Sequence, residues 1–124
     1  MSPFLDVVVI PVPRAKLDVY KQMSAEWGKA HVRHGAMYFS DAIGEDVQPG
    51  KLTSFPQAVQ LKDDELVAVS WVVYKSREDR DRIAAAVRED HELKAQMDPS
   101  KMPFDGQRMF WGGFQTIVGL SPGH

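Results

Sequence analysis

The stretch from Glu65 to Tyr74 is apolar on both of the faces that a β-strand presents. Alternate residues of a strand point to opposite sides of the sheet. Four residues, nearly all large and apolar, fall on each side: Val67, Val69, Trp71 and Val73 on one, and Leu66, Ala68, Val72 and Tyr74 on the other. Such a strand predicts a sheet that needs a hydrophobic layer on each face.

The other segments follow one another in a simple order. Phe4 to Val12 is apolar apart from Asp6 and predicts a buried strand. From Arg14 to His34, apolar residues recur every three or four positions, which predicts an amphipathic helix ended by Gly35. The remaining segments are a strand from Ala36 to Ile43, the strand from Glu65 to Tyr74, a helix from Ser76 to Arg88 with a short further turn at Leu93 and Met97 that stops at Asp98-Pro99, and a strand-like segment from Arg108 to Leu120.

The predicted order is β-α-β-β-α-β, the ferredoxin-like arrangement. Four antiparallel strands in this fold class, α+β, carry two helices on one face. The helices leave the second apolar face uncovered, and an exposed patch of that size is rare on a monomer. We therefore expect a single domain over residues 1–124 that forms a homodimer, with two sheets face to face in a dimeric α/β barrel.

Two local features refine this picture. In the loop before the third strand, Phe55 and Val59 predict a segment pressed onto the core. In the last strand, the pair Gly112-Gly113 predicts either a bulge or a close backbone approach.

The composition excludes several classes of protein. Fifteen Lys and Arg residues against seventeen Asp and Glu give a formal charge of −2, and no basic cluster predicts a nucleic-acid partner. The chain has no cysteine, so disulfides, thiolate nucleophiles and thiolate metal sites are excluded. Neither a signal-like start nor a membrane-length apolar run is present, and we expect a cytoplasmic protein with no membrane partner.

Asp105 and Arg108 are the candidate catalytic residues. They lie three apart, next to the turn-forming pair Asp105-Gly106. If they line the mouth of a cavity, Arg108 would stabilise developing negative charge, and Asp105 would orient Arg108 or transfer a proton. The alternative is a structural turn in which Arg108 pairs with a carboxylate.

A set of aromatic and polar side chains forms the candidate ligand site. Its members are Trp27, Ser70, Trp71, Phe104, Trp111 and Gln115. Aromatic rings can wall a pocket for a flat ligand, and the Ser70 hydroxyl can bind it if it points into the barrel. The same rings also suit an ordinary core and dimer interface, and this alternative stays open.

His31 and His34 lie three apart on the first predicted helix, where both could face one metal ion. A metal site needs a third ligand, and the sequence offers none at a characteristic spacing. Either histidine is also a conceivable axial ligand for haem. No nucleotide-binding loop, hydrolase elbow or zinc-protease motif occurs, so no metal and no cofactor are predicted.

The chain resembles the YbaA-like family of uncharacterised bacterial proteins, a domain of unknown function in the dimeric α/β barrel superfamily. The resemblance covers nearly the whole chain and rests on several short motifs, among them Pro49-Gly50-Lys51, Ser54-Phe55-Pro56-Gln57-Ala58-Val59, Ser70-Trp71, Met102-Pro103-Phe104-Asp105-Gly106 and Gly112-Gly113-Phe114. Val7 and Gln115 depart from it, since members often carry glycine and glutamate there. The resemblance implies the dimeric barrel fold and brings no activity with it.

Two functions from different classes remain. One is a homodimer that binds a small, partly apolar molecule between sheet and helices, either as a binding protein or as a cofactor-independent enzyme. The other is a non-catalytic structural or interaction protein whose barrel is filled by its own side chains. The presence or absence of a cavity distinguishes them.

Overall fold

The computed structural model describes residues 2–98 and 101–122, which form the predicted elements in the predicted order. The elements are β1 (Phe4–Pro13), a 3-10 turn (Arg14–Lys16), α1 (Leu17–Arg33), β2 (Tyr38–Ile43), α2 (Phe55–Ala58), β3 (Glu65–Tyr74), α3 (Arg77–Arg88), α4 (His91–Gln96) and β4 (Phe110–Gln115). No helix in the ranges described has the length and apolar character needed to span a membrane.

The four strands form one antiparallel sheet in the order β2-β3-β1-β4. The two central strands, β1 and β3, pair along their whole lengths, from Phe4 opposite Tyr74 to Pro13 opposite Glu65. This order is that of a ferredoxin-like sheet, and the predicted α+β fold class is confirmed.

α1 and α3 pack on one side of the sheet, which we call the helix face. Their buried residues Ala30, Ile83 and Val87 meet Val72 and Tyr74 of β3 there. Even-numbered residues of β1 and β3 point to this face because side chains alternate along a strand. The helix face therefore carries the larger part of the core.

Polar residues set the ends of the helices. The Ser76 hydroxyl accepts a hydrogen bond from the backbone N–H of Asp79 and caps α3 as predicted. Gly35 follows α1 with a φ of +117°, a conformation that favours glycine. The predicted stop at Asp98-Pro99 follows the end of α4 at Gln96, and residue 99 lies outside the described residues.

The opposite side of the sheet, the free face, is only partly covered. Val59 is fully buried against Val9 and Val67, so this part of the loop packs on the core as predicted. Phe55 is 50% exposed, however, and the same prediction is wrong for it, because the short helix α2 turns its ring outward. Beyond this loop the free face exposes aromatic rings, namely Tyr38, Phe110 and Phe114.

β4 is shorter than the strand-like segment predicted from Arg108 to Leu120. It is an edge strand whose single neighbour, β1, begins at Phe4, opposite Gln115. Beyond that pair one further backbone hydrogen bond follows, from the Thr116 N–H to the Pro3 carbonyl oxygen, and Ile117 is then 93% exposed. The register of β1 and β4 is continuous, so the glycine pair marks a close approach and not a bulge: a Cβ on Gly113 would lie 2.7 Å from the Phe4 ring.

Candidate functional site

A cavity of about 250 Å³ lies between the helix face of the sheet and α1; we call it the first cavity. Apolar side chains dominate its walls. They include Val8, Ile10, Trp27, Phe39 and Phe104, and the methionines Met23, Met97, Met102 and Met109. Methionine is unbranched and adapts to varied apolar shapes. The walls thus suit an apolar group of the size of a small organic molecule.

Asp41 forms the polar part of the first cavity. Its Oδ2 atom accepts hydrogen bonds from the Tyr20 hydroxyl and the Ser24 hydroxyl, both at 2.6 Å. Its Oδ1 atom is buried and has no hydrogen-bond partner within residues 2–98 and 101–122. Burial raises the pKa of Asp41 above its usual range, although the hydroxyls of Ser24 and Tyr20 and the backbone N–H of Ala42 oppose the shift. Burial beside Asp41 likewise raises the pKa of Tyr20.

A second cavity, of about 580 Å³, adjoins the first. The two share Val8, Trp27, Ser70 and Met109 as lining residues, so together they form one cleft along the helix face. Ser70 lies at the centre of the sheet, paired with Val8 on one side and Asp41 on the other.

An ion pair lines the second cavity. Arg80 Nη1 lies 3.0 Å from Asp6 Oδ1, and the Tyr74 hydroxyl donates to Asp6 Oδ2 at 3.2 Å. Burial raises the pKa of Asp6 although Arg80 opposes the shift, and burial raises the pKa of Tyr74. The two charges of this pair are largely shielded from water, with side chains only 13% and 14% exposed.

His31 also lines the second cavity and is itself 5% exposed. Its Nδ1 atom lies 2.8 Å from the carbonyl oxygen of Trp27, one helical turn earlier, and its ring lies between those of Trp27 and Phe39. Burial lowers the pKa of His31, which favours the neutral imidazole.

Of the predicted ligand-site residues, Ser70, Trp27 and Phe104 line the first cavity. Trp111 lines the second, which also includes Ser70 and Trp27. The cleft therefore brings four of the six candidates together.

The remaining two candidates lie elsewhere. Trp71 pairs with Val7 and lies on the free face, on the other side of the sheet from Ser70, because neighbouring residues of a strand point to opposite sides. Gln115 is exposed at the end of β4 and is not among the residues that line either cavity.

Arg108 and Asp105 are tied into a structural cluster. Arg108 makes a two-pronged contact with Glu65, at 2.7 and 2.6 Å, and a further bond to Asp105 at 2.9 Å. It also donates to the carbonyl oxygens of Val59 and Gln60. Arg108 lowers the pKa of Glu65 and of Asp105. Neither candidate catalytic residue lines the two cavities, which matches the structural alternative: Arg108 joins β3 to the loop that covers the free face.

The two helix histidines have separate partners. Nε2 of His34 lies 2.6 Å from Asp90 Oδ2, whereas His31 bonds to Trp27. Within the described residues, no group of three or more histidine, aspartate or glutamate side chains is arranged to hold a metal ion.

The sequence reasoning missed the polar residues of the cleft. Asp41 and Asp6 each stand among apolar residues on the helix face of a strand. A single acid at a core-facing strand position is the signal that identifies such residues. The partners of these acids carry no comparable signal: those of Asp41 lie on α1, and those of Asp6 lie on β3 and α3.

Several solved structures share the fold. The cofactor-independent oxygenase SnoaB from Streptomyces nogalater superposes with a TM-score of 0.60 at 14% identity, over 97% of this chain and 98% of SnoaB. A dimeric ferredoxin-like protein from an uncultured marine organism gives 0.57 at 11% identity, over 97% and 100% of the two chains. A nipsnap family protein of unknown function from Agrobacterium tumefaciens gives 0.55 at 11%, over 98% and 93%. Identities this low establish the fold alone.

Sequence relatives are closer. The uncharacterised protein YbaA of Escherichia coli K12 is 36% identical over 115 residues, which cover 93% of this chain and 97% of YbaA, and YbaA of Shigella flexneri matches equally well. The profile of DUF1428, described as a protein of unknown function, matches residues 3–106. The chain therefore belongs to the DUF1428 family, and the predicted resemblance to YbaA-like proteins is confirmed.

Proposed function

We propose that this protein is a homodimer that binds a small, mainly apolar molecule in the cleft between its sheet and its helices. The observation that carries the proposal is the cleft itself, in which two adjoining cavities with mainly apolar walls hold a few polar side chains, among them Ser70 and His31. Pockets of this composition are typical of small-molecule sites.

The cleft has the properties of a ligand site. Small-molecule pockets are mostly apolar, hold a few polar groups that fix orientation, and typically measure about 300–1,000 Å³. The first cavity, of about 250 Å³, joins one of about 580 Å³, so the pair falls within this range. A structural protein with a filled barrel would leave no such void, and the cavities therefore favour the ligand-binding hypothesis.

The proposal is that the protein binds a ligand, and any reaction that it catalyses in the cleft would need no cofactor. SnoaB, which shares the fold, is described as a cofactor-independent oxygenase. This relation shows that the fold can host chemistry without a cofactor, although a fold by itself does not transfer an activity. Asp105 and Arg108 would support such chemistry only by stabilising the fold, because they are bonded to each other and Arg108 is also bonded to Glu65.

A second copy of the chain is the proposed cover of the free face. Tyr38, Phe110 and Phe114 are 54%, 45% and 56% exposed there, beside the apolar residues of the central strands. Exposed aromatic groups of this kind are typical of a protein interface. Two of the structures that share the fold are described as dimeric ferredoxin-like proteins, which supports the same assembly.

Sedimentation velocity at micromolar concentration tests the dimer. Phe114→Lys puts a charge on the free face and should shift the protein to monomer. Val32→Lys is the matched control, because Val32 is 53% exposed on α1, on the other side of the sheet, and this variant should stay dimeric. A well-folded wild-type monomer would remove the dimer from the proposal.

A fragment screen by thermal shift tests the cleft. Ser70→Leu fills the space that the two cavities share, and it should abolish the stabilisation that wild type gains from flat apolar fragments. Ser121→Leu adds the same side chain at an exposed position outside every element and should respond as wild type does. Fragments that stabilise wild type and Ser70→Leu equally, or none that stabilises wild type, would contradict ligand binding in the cleft.

A further inference from the structure

We propose that the cleft selects flat ligands that carry a hydroxyl hydrogen-bond donor, and that Nε2 of His31 is the atom that accepts this hydrogen. The inference rests on the proposed function, because it names the chemical class of the molecule that the same cleft binds.

The hydrogen bond of His31 fixes which ring nitrogen carries the proton. Nδ1 lies 2.8 Å from the carbonyl oxygen of Trp27, and a carbonyl can only accept. Nδ1 is therefore the N–H nitrogen. With the neutral ring favoured by burial, Nε2 is left with a lone pair and acts as an acceptor.

The second cavity is the place where Nε2 would meet a ligand, because His31 lines it. This nitrogen has no hydrogen-bond partner in the part of the chain that the structure describes. The unpaired buried side-chain atom found in that part is Asp41 Oδ1, so Nε2 is not sealed within the protein even though His31 is only 5% exposed.

The neighbouring charges leave this acceptor available. Arg80 directs Nη1 to Asp6 and Nε to Asp81, and the Tyr74 hydroxyl also donates to Asp6. These hydrogen bonds go to carboxylates, and none of the hydrogen bonds of the described residues joins these donors to His31. The charge of Asp6 opposes the lowering of the His31 pKa, and burial outweighs it. A ligand hydroxyl is thus the donor that we expect at Nε2, in place of the water that otherwise reaches an acceptor in a cavity.

The walls point to an aromatic carrier for this hydroxyl. Trp27 lines both cavities, and its ring centroid lies 5.0 Å from that of His31. Trp111 lines the second cavity as well. Flat rings gain from stacking or edge contacts with such side chains. A hydroxyaromatic ligand combines the ring that fits the walls with the donor that fits Nε2.

Naphthol and its methyl ether form a matched pair of probes, because the ether keeps the ring and the oxygen but lacks the donor. We expect naphthol to bind wild type at least about fivefold more tightly than the ether, the ratio that one net hydrogen bond of ordinary strength supplies. His31→Phe keeps an aromatic ring between Trp27 and Phe39 and should bind the two probes equally. His34→Phe is the matched control on the same helix, since His34 bonds to Asp90, and it should keep the preference.

Nitrogen NMR of protein labelled at histidine gives a readout that needs no variant. Naphthol should move the Nε2 resonance of His31 towards values typical of a hydrogen-bonded nitrogen, and the ether should leave it in place. Equal affinity of wild type for both probes, or a preference that survives in His31→Phe, would overturn the role of His31 while leaving binding in the cleft intact. If neither probe binds although screened fragments do, the hydroxyaromatic class is wrong. If nothing binds, the proposed function itself fails.

Discussion

Replacing Gly113 with alanine is expected to destabilise the sheet where β4 passes Phe4. A Cβ atom on Gly113 would lie 2.7 Å from Cζ and 2.8 Å from Cε2 of Phe4, and 3.2 Å from Oδ1 of Asp6. The ring has little room to move, because Phe4 is 8% exposed and the guanidinium carbon of Arg80 lies 4.9 Å from the ring centroid. The added methyl group must therefore displace packed atoms.

The size of the effect follows from two opposing contributions. Over-packing a filled core costs about 1–3 kcal/mol. Alanine also restricts the unfolded chain more than glycine does, which raises the free energy of unfolding by about 0.4–1 kcal/mol. Gly106→Ala isolates the second contribution, because a Cβ there meets nothing within 4 Å. The free energy of unfolding of Gly113→Ala should thus fall about 1–3 kcal/mol below that of Gly106→Ala.

Urea unfolding followed by circular dichroism measures this difference, with both variants at the same protein concentration. With an unfolding entropy of about 2.1 cal/mol/K per residue, the gap for 124 residues corresponds to roughly 4–12 °C in Tm. Free energies of the two variants that agree within about 0.5 kcal/mol would refute the reasoning. Such agreement would mean that Phe4 and β4 separate at little cost.

Three further substitutions test the electrostatics. Asp41→Asn should raise the Tm at neutral pH, because burial raises the Asp41 pKa and the wild-type protein loses stability as the pH rises through that pKa. Thermal melts from pH 3 to 8 should show that the gain in Tm disappears in acid. A gain that is the same at every pH would contradict this cause. Glu65→Gln should lower the Tm, because it weakens the contact with Arg108, and it should leave the affinity for naphthol unchanged. A changed affinity in a binding titration would mean that Arg108 contributes to the ligand site. Asp90→Ala should lower the Tm at neutral pH, because the Leu93 N–H holds the pKa of the Asp90 carboxyl below its usual range and so stabilises the folded protein. This stability is lost as the pH falls, so the Tm of the variant should decrease less steeply in acid than that of wild type. An equally steep decrease in both proteins would contradict the prediction.

The elements that sequence predicted best are those set by local chemistry. β3 occupies the predicted range from Glu65 to Tyr74, and α3 begins directly after the predicted cap, Ser76. The period of a strand and a capping hydroxyl each act within a few residues. The end of β4 was missed because it depends on where β1 begins, more than a hundred positions earlier in the chain.

The candidate site follows the same rule. Aromatic and apolar lining residues such as Trp27 and Phe104 were found because their type alone suggests a wall. The hydrogen bonds between the polar side chains of the cleft were not found, because they join residues far apart in sequence. Tyr20 and Asp41 are 21 positions apart, and Asp6 and Arg80 are 74 positions apart. Such pairings depend on the register of the sheet and on helix placement, neither of which a single sequence specifies.

Two arginines of this chain show why contacts, and not residue type, identify the functional part of the molecule. Arg108 attracted attention because an acid stands three residues before it, yet its guanidinium is occupied by two carboxylates and two carbonyl oxygens away from the cleft. Arg80 carries no such signal, but its ion pair with Asp6 forms part of the cavity wall next to His31. Arg108 lines neither cavity of the cleft, and its bonds within the described residues hold the fold together. His31 lines the second cavity, and its Nε2 atom has no hydrogen-bond partner within the described residues, which is why we propose it as a contact of the ligand.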